Sequence, residues 1–309
     1  RIVKEAARKG GMAERMLGHA LALGRRRQEL GRLPLLALPL DFLVERLVRR
    51  PLQQRFGGRL RAMVSGGAPL SPEVGSFFAA LGITVLQGYG QTEAGPVISC
   101  NRPAAGIRMD SVGPPLRETE VVIADDGEIL VNGELVMLGY WRDEAATEAA
   151  LRDGWLHTGD IGRIDDEGHL VITDRKKDII INDKGENVAP QRIEGMLTLE
   201  PEISQAMVYG DRRPYLVAVI VPAPEYRMEW AARHGRDMQT LDRDPEFARS
   251  IQAAVDRVNA RLAAPEKVRR IIVASEAFSV ENGQTTPSLK LKRDAVRAAY
   301  GARLDALYR

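Results

Sequence analysis

The sequence predicts a mixed fold: a parallel α/β sheet, then a small β-rich region, then a smaller α+β domain. Three observations carry this. AMVSGGAPL from Ala62 and GITVLQGYG from Gly82 each read as an apolar strand ending in a glycine turn, with helical sequence between them. Past Asn101 the texture changes to short strands punctuated by turns at Gly113, Asp126-Gly127, Asn132-Gly133 and Glu167-Gly168. Beyond Arg175 helix, strand, strand, two helices and a last strand follow one another.

Taken in order, residues 1–61 repeat apolar positions at spacings of three and four through Met12, Met16, Leu17 and Leu21, then Phe42, Leu43 and Leu47, which predicts helices. Met12 and Met16, with Phe77, Phe78 and Leu81 farther on, fit their core faces. The next helix should open with Ser71 as N-cap and Pro72 at the first helical position. Alternating strand and helix favours parallel pairing, and ligands of such sheets bind beyond the carboxyl ends of the strands, so both glycine turns should face one cleft. DRKKDIIINDKGENVAP reads as a charged turn, a strand, a glycine turn and a proline stop. Helices are expected over 190–199, 223–235 and 244–262, strands over 206–209 and 215–221, and a final strand in RRIIVASEAF before a tail loop. The division is 1–174, a junction at 175–177, and 178–309.

Composition narrows the function. A 44% apolar and 28% charged chain of 309 residues can bury a full core. Its net charge is only +2, so the bulk charge does not call for nucleic acid. The single cysteine, Cys100, excludes an intrachain disulfide and a cysteine-based zinc site, and the four histidines lack metal-ligand spacing. The chain therefore reads as cytoplasmic. The most apolar run, LPLLALPLDFLVERLV from Leu33, is broken by Pro39 and Asp41 and falls short of the roughly 20 apolar residues that span a bilayer. Arginines cluster in GRRRQELGR and ERLVRRPLQQRFGGRLR, a basic surface that could lie against the inner membrane face or simply be solvated. Arg1, not Met, opens the sequence directly in helix-like residues, and a fragment is expected.

Two short segments carry chemistry. Tyr89, Gly90, Gln91, Thr92 and Glu93 combine an aromatic ring, a glycine that admits close backbone approach, a hydroxyl and a carboxylate. The set suits a nucleoside phosphate with Mg²⁺, which takes oxygen ligands and few protein carboxylates; a plain polar turn would also fit it. Asp160 follows a Thr-Gly turn in WLHTGD, where a carboxylate could accept from two vicinal ribose hydroxyls or only close a surface turn. His157, His169 and Cys100 are read as structural.

Together SGGAPL, GYGQTE, the stretch GEILVNGELVMLGYWRDEAAT leading to DGWLHTGD, DRKKDIIINDKGENVAPQRIE and TPSLKLKR make the chain resemble the AMP-forming acyl-CoA synthetases of the adenylate-forming superfamily. The match runs in order from about Ala62 to Arg293. The tail form ENGQTTPSLKLKR, where many members carry Ser-Gly-Lys and this chain has Ser288, Leu289 and Lys290, most resembles the long-chain fatty acid CoA ligases.

That resemblance implies a large adenylating domain, here in part, and a small mobile carboxyl-terminal domain. It implies two steps. A fatty carboxylate attacks the α-phosphate of ATP and releases pyrophosphate, and the thiol of coenzyme A then displaces AMP from the acyl-AMP. By the same resemblance Gly66, Gly67 and Ala68 line the adenine and acyl site, and Gln87, Gly88 and Tyr89 hold adenine, with Gly90 and Gln91 completing the nucleotide loop. Thr92 contacts phosphate, Glu93 ligates Mg²⁺, and Asp160 and Arg175 grip the ribose. Lys177 is the hinge, Lys184, Gly185 and Glu186 face coenzyme A, and Lys290 bridges carboxylate and α-phosphate. A flexible lysine arm suits that role. Medium-chain or aryl acids, transfer to a carrier protein, and a non-catalytic nucleotide-binding fragment stay open as alternatives. The family's Ser/Thr/Gly-rich phosphate loop has no counterpart between Arg1 and Ser65, whose glycines lack serine and threonine neighbours.

Overall fold

The computed structural model describes residues 10–309, without the side chains of Gln28 and Glu29, so the helical reading of residues 1–9 lies outside the described residues. The chain divides into two compact units, Arg1–Thr158 with Gly162–Ile172, and Gly159–Ile161 with Thr173–Arg309.

In the first unit, α1 (Gly11–Leu30), α2 (Leu38–Val44) and α3 (Arg50–Arg55), the last two joined by a wider π-type turn at Glu45–Arg49, form a helical layer. Leu17, Ala20 and Leu23 of α1 bury against Val44, Leu52, Leu81 and Ile83. The basic run is not wholly solvated: Arg49 is buried, donates to Ala80 O at 3.0 Å and pairs with Asp41 at 2.8 Å. The periodicity overstates the core here. Met12 is 76% exposed and Phe42 66%, because the repeat runs past the turns of helix that meet a partner.

Strand β1 (Met63–Ser65) pairs in parallel with β2 (Val85–Tyr89), which pairs antiparallel with β3 (Ser99–Cys100); α4 (Pro72–Ala80) connects the first two. Ser71 holds the N-cap position but its side chain does not cap. The hydroxyl donates to Glu73 Oε2 at 2.5 Å.

The β-rich region is one sheet. Strands β4 (Thr119–Ile123) and β5 (Glu128–Gly133) form a hairpin across Asp126-Gly127, and β5 is followed in the sheet by β7 (Trp155–Ile164), flanked by β6 (Leu151–Arg152) and β8 (Leu170–Arg175). The short helix α5 (Glu144–Ala150) precedes β6, N-capped by the Asp143 carboxylate on Ala146 N–H at 2.9 Å. Ile98, Ile129, Leu156 and Leu170 are the buried centre. His169 is structural, as its sequence context suggested: Nε2 donates to Ala105 O (3.0 Å), which leaves Nδ1 to accept from Ser111 Oγ (3.1 Å).

In the second unit, β9 (Ile180–Ile181) and β10 (Asn187–Val188) form a small hairpin before α6 (Pro190–Leu197). A three-stranded sheet follows, β11 (Ile203–Tyr209) antiparallel to β12 (Leu216–Pro222), itself parallel to β13 (Val268–Val273). All seven residues of LVAVIVP in β12 are buried, as a central strand covered on both faces requires. Leu216, Ala218 and Ile220 pack with α6, α7 (Pro224–His234) and α8 (Pro245–Asn259). Val217, Val219 and Val221 pack on the other face with Val296, Tyr300 and Leu304 of α9 (Arg293–Ala306). No element is predicted from sequence for that last helix, which follows the tail loop carrying Lys290.

Candidate nucleotide and acyl-transfer site

The parallel pairing of β1 and β2, with Met63 opposite Val85 and Ser65 opposite Gln87, sets their two glycine turns side by side. A Cβ on Gly66 would lie 3.3 Å from Gly88 O, so Gly66, Gly67 and Ala68 run directly beside Gln87, Gly88 and Tyr89. The Gln87 side chain is buried and donates to Met109 O at 2.7 Å, so it serves the protein's own backbone. Tyr89 accepts from Ile98 N–H at 2.8 Å, and its ring packs on the cluster around Ile98 and Ile129. Gly90 is obligatory: a Cβ there would sit 1.9 Å from Pro96 O.

Gln91 Nε2 is buried and meets no hydrogen-bond partner among the described residues. A buried donor left so is costly, and a ligand oxygen would complete it, so the residues present fit a polar ligand such as a nucleotide. Thr92 and Glu93 follow in a tight turn, Thr92–Ala94, ended by Gly95 in the left-handed conformation.

Glu93 is held at two atoms. Its carbonyl accepts from Met137 N–H (2.8 Å) and its Oε1 from the Tyr140 hydroxyl (2.8 Å). Tyr140 is in turn fixed through its N–H to Thr147 Oγ1 at 2.9 Å. The bond to Glu93 holds the Tyr140 phenol above its usual titration range, with burial adding to it. Tyr140 lies in the GYW string of the sequence, yet its distance of 47 residues from Glu93 hid the pairing. A lone carboxylate is the protein donor set Mg²⁺ takes when phosphates and water supply its other oxygens. Among the described residues no group of three or more His, Cys, Asp or Glu is arranged for a metal ion.

The second unit holds the remaining expected residues. Arg175 Nε lies 3.7 Å from Asp160 Oδ1, so the two residues assigned to ribose sit together. The adjoining backbone is fixed by Lys176 N–H to Gly159 O at 2.8 Å and by Arg175 N–H to the buried Asp174 carboxylate at 2.7 Å. Burial pushes Asp174 above the usual carboxylate range. Lys177 follows in the turn before β9. The loop with Lys184, Gly185 and Glu186 is organised by Asn182, whose Oδ1 accepts from Lys184 N–H (3.0 Å) and Glu186 N–H (2.9 Å) while its Nδ2 donates to Glu186 Oε2 (2.7 Å). Gly185 adopts φ 81° there, as the turn requires. Lys290 is exposed in the loop before α9.

The family profile described as AMP-binding enzyme matches residues 36–141, and that described as AMP-binding enzyme C-terminal domain matches 177–309. The chain is 40% identical over 270 residues to the long-chain-fatty-acid–CoA ligase FadD15 of Mycobacterium tuberculosis, covering 85% of this chain and 44% of that protein. It is 36% identical over 282 residues to the guinea-pig (Cavia porcellus) long-chain-fatty-acid–CoA ligase 1, covering 85% and 40%. The chain thus spans less than half the length of these curated relatives. Among solved structures, the A domain of a carboxylic acid reductase from Segniliparus rugosus, in complex with AMP and a co-purified carboxylic acid, superimposes with a TM-score of 0.69 at 26% identity, over 95% of this chain and 45% of that one. An O-succinylbenzoate coenzyme A synthetase from Bacillus subtilis, with ATP and magnesium, gives 0.58 at 28% identity, over 76% and 46%.

Proposed function

The chain belongs to the AMP-binding enzymes, among the AMP-forming acyl-CoA synthetases most like long-chain fatty acid CoA ligases, and from that membership we propose that the protein carrying it activates a long-chain fatty acid with ATP and passes the acyl group to coenzyme A. The observation that carries the substrate class is the 40% identity to a fatty-acid ligase across 85% of this chain. The chemistry is supported by a nucleotide loop whose glycines admit close backbone approach, beside one anchored carboxylate.

In this reading the loop Gly66, Gly67 and Ala68 and the backbone of Gln87, Gly88 and Tyr89 receive adenine, while Gly90, Gln91 and Thr92 offer donors to phosphate. Glu93, oriented by Tyr140, would hold Mg²⁺, which supplies charge neutralisation on the phosphates when bound. Asp160 accepts from ribose hydroxyls, with Arg175 setting its direction. Lys290 contributes positive charge to the carboxylate and α-phosphate oxygens as negative charge builds on them. Lys177 is the pivot of the domain 178–309, and Lys184, Gly185 and Glu186 receive coenzyme A. A cytoplasmic location goes with this reading, with the arginine-rich helices as a surface for anionic lipid. No helix among the described residues is long and apolar enough to cross a membrane.

The 309 residues hold no Ser/Thr/Gly-rich loop before Ser65. We therefore read this chain by itself as binding nucleotide without forming acyl-AMP at a useful rate. Acid-dependent AMP release by the protein carrying the chain, measured with acids of increasing length in the presence and absence of coenzyme A, tests the proposal. Turnover limited to short or aromatic acids, or release of AMP unaffected by coenzyme A, would contradict it. The second outcome would favour the alternative in which a carrier receives the acyl group, a reading supported by the structural likeness to carboxylic acid reductase A domains.

A further inference from the structure

Residues 284–292 form a tight hairpin with Lys290 on its returning arm. Lys292 N–H donates to Gln284 O (2.8 Å), Thr285 and Leu291 face each other as an antiparallel bridge, and Thr286 N–H donates to Lys290 O (2.8 Å). At the tip, Leu289 N–H donates to Thr286 O (2.8 Å) across Pro287 and Ser288. This is a three-residue hairpin loop, a turn with proline at its second position followed by a residue in the left-handed region.

That last position favours glycine, yet Leu289 occupies it at φ 61°. Its side chain is 77% exposed, so packing does not offset the strain. The surroundings hold it instead. Gln284 and Thr285 are buried at the base of the hairpin. On the other arm Arg293 is clamped by Glu194 through two bonds of 2.7 and 2.6 Å. In between, the Thr286 hydroxyl accepts Lys290 N–H at 3.0 Å and meets Ser288 Oγ at 2.9 Å. Thr286 therefore grips the Lys290 backbone on both sides, its hydroxyl taking the N–H and its own N–H reaching the carbonyl.

We propose that Thr286 is a positioning residue for Lys290: its hydroxyl fixes the backbone of the lysine and so presets the direction in which the charged arm leaves a strained hairpin. The inference rests on Lys290 acting in adenylation. Backbone preorganisation of this kind is worth having because a misplaced charge loses much of its effect on a transition state.

The test compares Thr286→Val, which keeps the shape and removes the hydroxyl, with Thr286→Ser, which restores it, and with Lys290→Ala. Hydrogen exchange of the Lys290 amide in this chain should speed up about tenfold or more in Thr286→Val and return in Thr286→Ser, as loss of its acceptor demands. In the protein carrying the chain, acid-dependent ATP–pyrophosphate exchange should lose about tenfold in kcat with KM for ATP unchanged, and serine should recover most of it. Unchanged Lys290 exchange in Thr286→Val, or unchanged kcat, overturns the proposal. So does an equal loss in thioester formation from supplied acyl-AMP, since that would mark a general structural fault. Full pyrophosphate exchange in Lys290→Ala would instead remove the functional reading on which the proposal stands, whatever the amide data say.

Discussion

Arg293 and Glu194 meet in a two-pronged ion pair at 2.7 and 2.6 Å, largely removed from solvent, tying α6 to the first residue of α9 three positions beyond Lys290. Glu194 also accepts from Val208 N–H at 2.8 Å, so the pair welds helix, sheet and tail together. Removing one partner leaves the other buried and uncompensated, a loss of about 3–5 kcal/mol. Arg293→Met should therefore lower the urea midpoint of the second unit by far more than Arg297→Met on the same helix. Equal midpoints would mean that the pair is not a structural anchor.

Tyr140 and Glu93 give a spectroscopic prediction. The phenol titrates above the ordinary tyrosine value of about 10 because its hydroxyl donates to the Glu93 carboxylate. Neutralising that acceptor in Glu93→Gln should bring the Tyr140 titration back down, read as ultraviolet difference absorbance against a Tyr140→Phe control. Tyr140→Phe should also loosen Glu93 and weaken Mg²⁺-dependent nucleotide binding by about 1.5 kcal/mol, the low end for one hydrogen bond to a charged group.

Asp165 predicts the acid limb of stability. Its carboxylate lies below the usual range, chiefly through the His169 N–H, then the Glu167 N–H and the charge of Arg108, against the opposing effect of burial. A depressed folded value means that its contribution is fully present above about pH 3.9 and is lost as pH falls through the lower folded value. Thermal melts of Asp165→Asn should thus differ most from the parent above that pH and converge with it in stronger acid.

Gly90→Ala separates a required glycine from an ornamental one. The added Cβ would lie 1.9 Å from Pro96 O and 2.8 Å from Val97 Cα, both backbone, so one of the two backbone segments must move. A loss of about 1–3 kcal/mol in unfolding free energy is expected, with weaker AMP binding by calorimetry. Gly67→Ala, at an open position with φ 79°, should be the milder change.

Much of this was legible because its signals are local. The two strands with glycine turns, the Pro72 helix start and the continuous apolar run of β12 are read from neighbouring residues, and their parallel pairing follows from the alternation of elements. What stayed hidden depends on contacts far apart in sequence: Tyr140 reaches Glu93 across 47 residues and Arg293 reaches Glu194 across 99. Helix α9 has Val296, Tyr300 and Leu304 at four-residue spacing, but Gly301 and the basic KLKR stretch that runs into its start obscure it. Met12 misled in the opposite direction, since periodicity reports a helix face without saying where its partner ends.

The central claim is that Lys290 supplies charge to the first half-reaction. Fatty-acid-dependent ATP–pyrophosphate exchange and coenzyme A acylation from supplied acyl-AMP should be measured side by side for Lys290→Ala in the protein carrying this chain, with Lys292→Ala as the control for the basic tail. The account predicts a loss of pyrophosphate exchange of about a hundredfold or more in Lys290→Ala, the scale of one lost transition-state charge contact, with most of the thioester step retained. Equal loss of both half-reactions, or the larger loss in Lys292→Ala, would contradict it.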